Sequence, residues 1–188
     1  VMVIDAAKGV EAQTIKLFKV CTLRHIPIFT FVNKMDREAR DPFELMENIE
    51  EILGIKTYPM NWPISCGKDF KGVYDRSAKR VLAFSSDGRA NGVKMVDEVE
   101  AELGDAALDE LIGTANHEKL AEDIELLDGA AEEFDLAAVQ HGELSPVFFG
   151  SALTNFGVEP FLKEFLRLTP APLPRKDAAS GELVDPCS

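Results

Sequence analysis

FVNKMDRE, residues 31–38, ends an apolar run on three polar side chains, Asn33, Lys34 and Asp36. The run before it, IPIFTFV, lacks strict polar alternation, as a strand buried on both faces of a parallel sheet requires. Two similar runs stand on either side of it in the chain, VMVID at 1–5 and PVFFG at 146–150. Between them lie helical patterns. From Glu11 to Arg24 the stripe is Thr14, Leu17, Phe18 and Cys21; in DPFELMENIEEILG it is Leu45, Ile49, Ile52 and Leu53. That second helix carries its own punctuation, with Asp41 as N-cap, Pro42 at N1, Glu44 at N3 and Gly54 past the end. VEPFLKEFLRL repeats the pattern with Val158, Phe161, Leu162 and Phe165, stopped near Pro170. Strand and helix alternating in this way predict an α/β fold with a doubly wound parallel sheet.

Residues 65–142 break the alternation. KGVYDRSAKRVLAFSSDGRANGV predicts a small β-meander with turns at Asp87-Gly88 and Asn91-Gly92. Acidic segments follow, DEVEAELG, AALDELIG, HEKLAEDIELLDG and AEEFDLAAVQHG, each ended by glycine and each expected to be helical. The expected organisation is a core formed by residues 1–64 and 143–172, an inserted α+β subdomain at 65–142, and a linker or tail at 173–188.

Composition narrows the function classes. The 188 residues carry a formal net charge of -13, which argues against a free DNA binder, because the phosphate backbone rewards basic surfaces. The acidity is local: residues 97–143 hold 16 acidic side chains against Lys119 alone, whereas residues 1–96 hold 15 basic and 12 acidic ones. No run is long and apolar enough for a membrane span, and no basic n-region of a signal peptide opens the chain, so a cytoplasmic location is expected. Cys21, Cys66 and Cys187 match no metal-ligand spacing, and His25, His117 and His141 do not cluster with them. No metal site is expected within these residues.

In an open α/β sheet, ligands bind beyond the carboxyl ends of the strands. A carboxylate there accepts two parallel hydrogen bonds from the N1–H and exocyclic amine of guanine, an edge adenine lacks; Asp36 suits that role. Asn33 suits the O6 and N7 side of the base while tying loops together, and the stem of Lys34 suits the apolar face of a purine. Asn and Asp after a strand also serve simply as caps and turns. FFGSAL, 148–153, supplies a second strand-end loop, in which Ser151 is placed to bond Asp36 and the N–H of Ala152 to meet the base O6.

NKMD at 33–36 and SAL at 151–153 resemble the guanine-recognition motifs of translational GTPases, and DAAKGVEAQT resembles the strand and loop after their second switch. DAAKGVE, NKMDREARDPFEL, WPISCGKDFKGVYD, PVFFGSALTNFGV and PAPLPR together resemble the bacterial peptide-chain release factor 3 family across nearly the whole chain. The related elongation factor G-type translocase shares NKMDR and the FKGV block, but RDPFEL, CGK and NFGV fit the release factor family better. A non-catalytic module that binds a ribosomal partner is the further alternative.

The resemblance implies a P-loop GTPase fold, here with part of its sheet, and a GTP-hydrolysing factor that promotes departure of stop-codon-reading release factors from the ribosome. It implies that Asn33, Lys34 and Asp36 read guanine while Ser151, Ala152 and Leu153 close the base pocket, with GTP or GDP as ligand. The ribosomal stalk protein is the partner it suggests for the acidic insertion. A phosphate-cradling GxxxxGK[ST] loop, a Mg²⁺-binding threonine and a switch histidine also belong to that family, and none occurs in these 188 residues. The chain is therefore expected to be a fragment lacking the N-terminal part of the domain, to contain no catalytic residue, and by itself to bind GTP no tighter than roughly millimolar. The apolar surface such a fragment leaves uncovered is expected to favour aggregation or dependence on a partner.

Overall fold

The computed structural model describes residues 1–24, 26–84, 88–90, 93–95, 98–130, 133–169, 175–176, 180–181 and 183–184. Its core is a four-stranded, all-parallel sheet of β1 (Met2–Asp5), β2 (Thr30–Asn33), β3 (Lys56–Pro59) and a late strand, Leu144–Phe149. The helices between the first three are α1 (Ala12–Leu23) and α2 (Pro42–Leu53). Four further strands make a separate antiparallel sheet: β4 (Asn61–Ile64), β5 (Gly72–Asp75), β6 (Arg80–Phe84) and, past the hairpin of β7 (Gly88–Ala90) and β8 (Val93–Met95), β9 (Glu98–Glu102). Helices α3 (Ala107–Ile112), α4 (Thr114–Ala130) and α5 (Leu136–His141) lead to the late core strand, β10, and α6 (Val158–Leu168) follows it. A short pair, β11 (Arg175–Lys176) and β12 (Leu183–Val184), lies in the tail. His25, Cys187, most of the tail and the turn residues Asp87, Asn91 and Gly92 lie outside the described residues.

The core order is β1-β2-β10-β3, so β10 slots between strands that precede the insertion. All six of its residues are buried. Alternation sends Val32, Val147 and Phe149 into one cluster with Ile4, Phe18, Leu45 and Ile49, and Phe29, Phe31 and Phe148 into another with Phe161 and Leu168. Both faces of the two central strands, β2 and β10, are thus covered, which is why those strands show no polar face, whereas at the edges Val3 of β1 is exposed and β3 is only partly buried; each buried Phe contributes about 2 kcal/mol.

Three expected helix faces hold except for one flanking position in each. Leu17, Ile52 and Leu162 are exposed, while Phe18, Ile49 and Phe161 make the contacts. Each residue turns the helix by about 100°, so a stripe read from spacing alone includes a flanking position. DEVEAELG differs more: it contains the strand β9, not a helix. Val99, Ala101 and Leu103 recur every second residue, and β6 offers a paired edge, with Val81 opposite Ala101 and Leu82 opposite Glu100. Tertiary pairing overrides the helix propensity of Glu and Ala.

The two sheets meet at Met60, whose N–H donates to Val147 O at 2.9 Å. Next to it Trp62 is fully buried between Phe43, at 4.5 Å, and Phe149, at 5.6 Å, and its Nε1–H donates to Asp123 of α4 at 3.0 Å. Arg76 fastens the same seam: its guanidinium donates to Pro59 O, pairs with Asp128 at 2.7 Å and lies 4.9 Å from the Tyr58 ring centre. The meander thus meets the acidic helix α4 at this residue.

His117 ties α4 to its neighbours, with Nδ1 3.0 Å from Asp109 Oδ1 and Nε2 2.7 Å from Leu103 O. Two acceptors face the two ring nitrogens, so the imidazolium fits better than the neutral ring; the Asp109 contact first, then the Leu103 carbonyl, raises its pKa above 6.5. Its stabilisation is complete below the unfolded value and is lost as pH rises through the folded one. Melting followed by circular dichroism is expected to fall from about pH 6 to about pH 8. A His117→Gln chain should lose that slope; an unchanged slope would assign it to other groups.

Candidate functional site

The carboxyl ends of β1, β2 and β10 bring three loops together. After β2, Lys34 takes a left-handed backbone with φ 74°, an arrangement uncommon for a side-chain-bearing residue and frequent at functional loops. Asn33 holds that turn: its Oδ1 accepts from the N–H of Lys34 at 2.8 Å and from that of Ala152 at 2.9 Å. Met35 is buried and donates its N–H to Gly150 O at 3.1 Å, while Gly67 donates to Met35 O at 2.8 Å. The loop is anchored from both sides.

Ser151, fully buried, donates its hydroxyl to Asp36 Oδ1 at 2.5 Å. A carboxylate oxygen has two lone pairs, so Oδ1 retains one for another donor, and Oδ2 has no partner among the described residues. The loop after β10 closes on itself through reciprocal bonds between Ser151 and Phe156. Gly150 allows this closure, because a Cβ there would lie 2.4 Å from Phe156 O and 2.8 Å from Phe31 Cζ.

Of the six residues expected at a guanine pocket, five are joined by these contacts or flank them directly. Ala152 differs in one respect: its N–H, expected to meet the base O6, is directed to Asn33 Oδ1. The donor left on that side is Asn33 Nδ2, which has no partner among the described residues. Leu153 makes no such bond and is 77% exposed. An apolar side chain beside the loop, open to solvent, is suited to covering a flat ring.

Two residues escaped the sequence reading. Asp5, at the end of β1, is in register with Asn33 and accepts from Lys34 Nζ at 2.7 Å. Its place at the carboxyl end of a parallel strand was the available signal. Asn61 acts from below: its side chain donates to Phe149 O at 3.0 Å and accepts from Phe149 N at 2.7 Å, two residues before Ser151. Nothing in YPMNWPI marks it. Among the described residues no three His, Cys, Asp or Glu side chains converge as a metal cluster.

The family model described as the elongation factor Tu GTP binding domain matches residues 1–171. The chain belongs to this GTP-binding domain family. Within it, the chain is 55% identical over 186 residues to a protein of Symbiobacterium thermophilum and 49% identical over 186 residues to one of Microcystis aeruginosa, both named Peptide chain release factor 3. Each likeness covers 99% of this chain and 34% of the relative. The chain thus spans about a third of the length of the curated relatives it matches. The family resemblance read from scattered motifs is continuous along the sequence. A solved crystal structure from Thermus thermophilus shares the fold, with a TM-score of 0.60 and 23% identity over 89% of this chain and 26% of that one. The parallel sheet is that of a P-loop GTPase, and no helix among the described residues is long and apolar enough to cross a membrane.

Proposed function

We propose that this chain is the guanine-reading part of a cytoplasmic, ribosome-associated GTPase of translation termination, one that binds and hydrolyses GTP and promotes departure of a stop-codon-reading release factor. The observation that carries the reading is the join between two loops far apart in sequence: Ser151 on Asp36, and Asn33 on Ala152. Asp36 accepts from the Watson–Crick edge of guanine, Asn33 Nδ2 donates on the O6 and N7 side, and Lys34 and Leu153 cover the ring faces. Likeness to proteins named Peptide chain release factor 3 supports the termination role. Contacts to the phosphates and Mg²⁺ belong to other residues of the intact gene product, because these 188 contain no GxxxxGK[ST] loop.

The test uses the intact gene product with ribosomes. GTP and GDP should compete for binding and ATP should not; release factor should leave post-termination ribosomes only with GTP. Messenger movement driven by GTP would instead establish a translocase, and absence of nucleotide binding a non-catalytic module.

The division into a core of residues 1–64 and 143–172, an insertion at 65–142 and a tail from 173 belongs to the same proposal, with β4 leading into the insertion. The insertion's partner is the ribosomal stalk protein. Between α2 and the helices α4 and α5 runs a groove of about 890 Å³, rimmed by Glu44, Glu47, Glu50, Glu133, Asp135 and Glu143. An acidic rim around apolar side chains attracts a basic amphipathic segment. Reversing the charge of Glu47 and Glu133 on this rim should lower stalk-stimulated GTP turnover several-fold at low salt; an unchanged rate would leave the rim as a solvated face.

A further inference from the structure

We infer that Asp5 is a positioning residue for Lys34, setting the lysine stem in the orientation that covers the face of the bound base. The inference rests on the guanine reading above and extends it to a residue outside the two recognition loops.

Three observations carry it. First, both oxygens of Asp5 are engaged: Oδ2 by Lys34 Nζ at 2.7 Å, Oδ1 by the N–H of Ala7 at 2.9 Å. Its side chain is only 13% exposed, whereas that of Lys34 is 46% exposed. A sheltered carboxylate therefore holds the head of a side chain whose stem remains open. Second, Lys34 begins from a left-handed backbone that Asn33 Oδ1 holds through the Lys34 N–H, while its side chain stays 46% exposed. A four-carbon stem loses much rotamer freedom when it is ordered, and fixing its head before the ligand arrives removes that cost from binding.

Third, Asp5 is itself held rigidly. Its carbonyl accepts from the N–H groups of Lys8 and Gly9, and it pairs in register with Asn33. The loop it opens is fastened to α2 and its approach through Arg40 N–H on Ala6 O and Val10 N–H on Asn48 Oδ1. Asp5 therefore transmits the position of a fixed loop to a flexible lysine. The Lys34 hydrogen bond is also the largest cause lowering the Asp5 pKa, so the Asp5 carboxylate stays ionised across the neutral range.

A double-substitution cycle in the intact gene product tests this, read as GDP dissociation constants, with melting curves for each protein. Asp5→Asn keeps the acceptor for Ala7 but removes the charge; it should weaken GDP about tenfold. Xanthosine diphosphate should weaken by the same factor, because a contact to the ring face does not distinguish base edges. In a Lys34→Ala background the same change should cost less than about twofold, since its route of action is gone. Asp5→Glu should recover part of the loss, and it carries the test should Asp5→Asn fail to fold. An equal loss with and without Lys34 would overturn the inference and leave Asp5 as a loop tie. Asp36→Asn is the separate control: if it leaves guanine preference intact, the guanine reading falls, and this inference with it.

Discussion

Asp36→Asn in the intact gene product is expected to weaken GDP binding about a hundredfold and to turn the preference toward xanthosine diphosphate. In the proposed pocket the carboxylate accepts from two donors on the guanine edge, and each such charge-assisted bond is worth about 1.5–3 kcal/mol. An amide in the same place presents one acceptor and one donor. Guanine then loses a partner and sets its own N–H against the new NH₂, whereas xanthine, with a carbonyl where guanine has its amine, gains one. The Ser151 hydroxyl can still donate to the Asn carbonyl in place of Asp36 Oδ1, so the loop remains tied. Competition between the two diphosphates measures the switch. Equal weakening of both would show that Asp36 supports the loop without reading the base.

The second large effect is on stability. Asn61→Leu should destabilise the chain by about 3 kcal/mol, lowering its melting temperature by roughly 10 °C for a protein of this size. Asn61 is 3% exposed, and its side chain satisfies both the N–H and the carbonyl of Phe149. Leucine, with the same branched side-chain skeleton, removes both bonds and leaves two buried backbone groups without partners, each costing about 1–3 kcal/mol. The damage should spread to Gly150 and Ser151, which follow directly. Urea titration of the parent and variant chains reads the difference; a loss below about 1 kcal/mol would mean that the strand relaxes to find other partners.

Strand and helix order were legible because they rest on local patterns. Apolar runs without polar alternation gave β1, β2 and β10, and the cap set Asp41, Pro42 and Gly54 gave α2, whose N-cap accepts from Phe43 N–H and whose Gly54 takes φ 69°. Where a pattern admitted two periods, as in DEVEAELG, local propensity pointed to helix and the edge of β6 made it a strand. The side-chain chemistry of NKMD and SAL was also local. It depends on which groups stand at a strand end, and that is written in the residue types.

The sequence by itself determined the α/β alternation, the family and the pair of strand-end loops. Tertiary structure decided which atoms meet. The bonds that build the site join residues 29, 88 and 119 positions apart: Lys34 to Asp5, Asn61 to Phe149, Asn33 to Ala152. None of these separations carries a periodic signal, because each depends on strand order. Placing β10 between β2 and β3 puts Ser151 beside Asp36, and running β1 parallel beside β2 in register puts Asp5 under Lys34. Spacing along a chain records local geometry; neighbours across a sheet are fixed only when the strands close on their shared core.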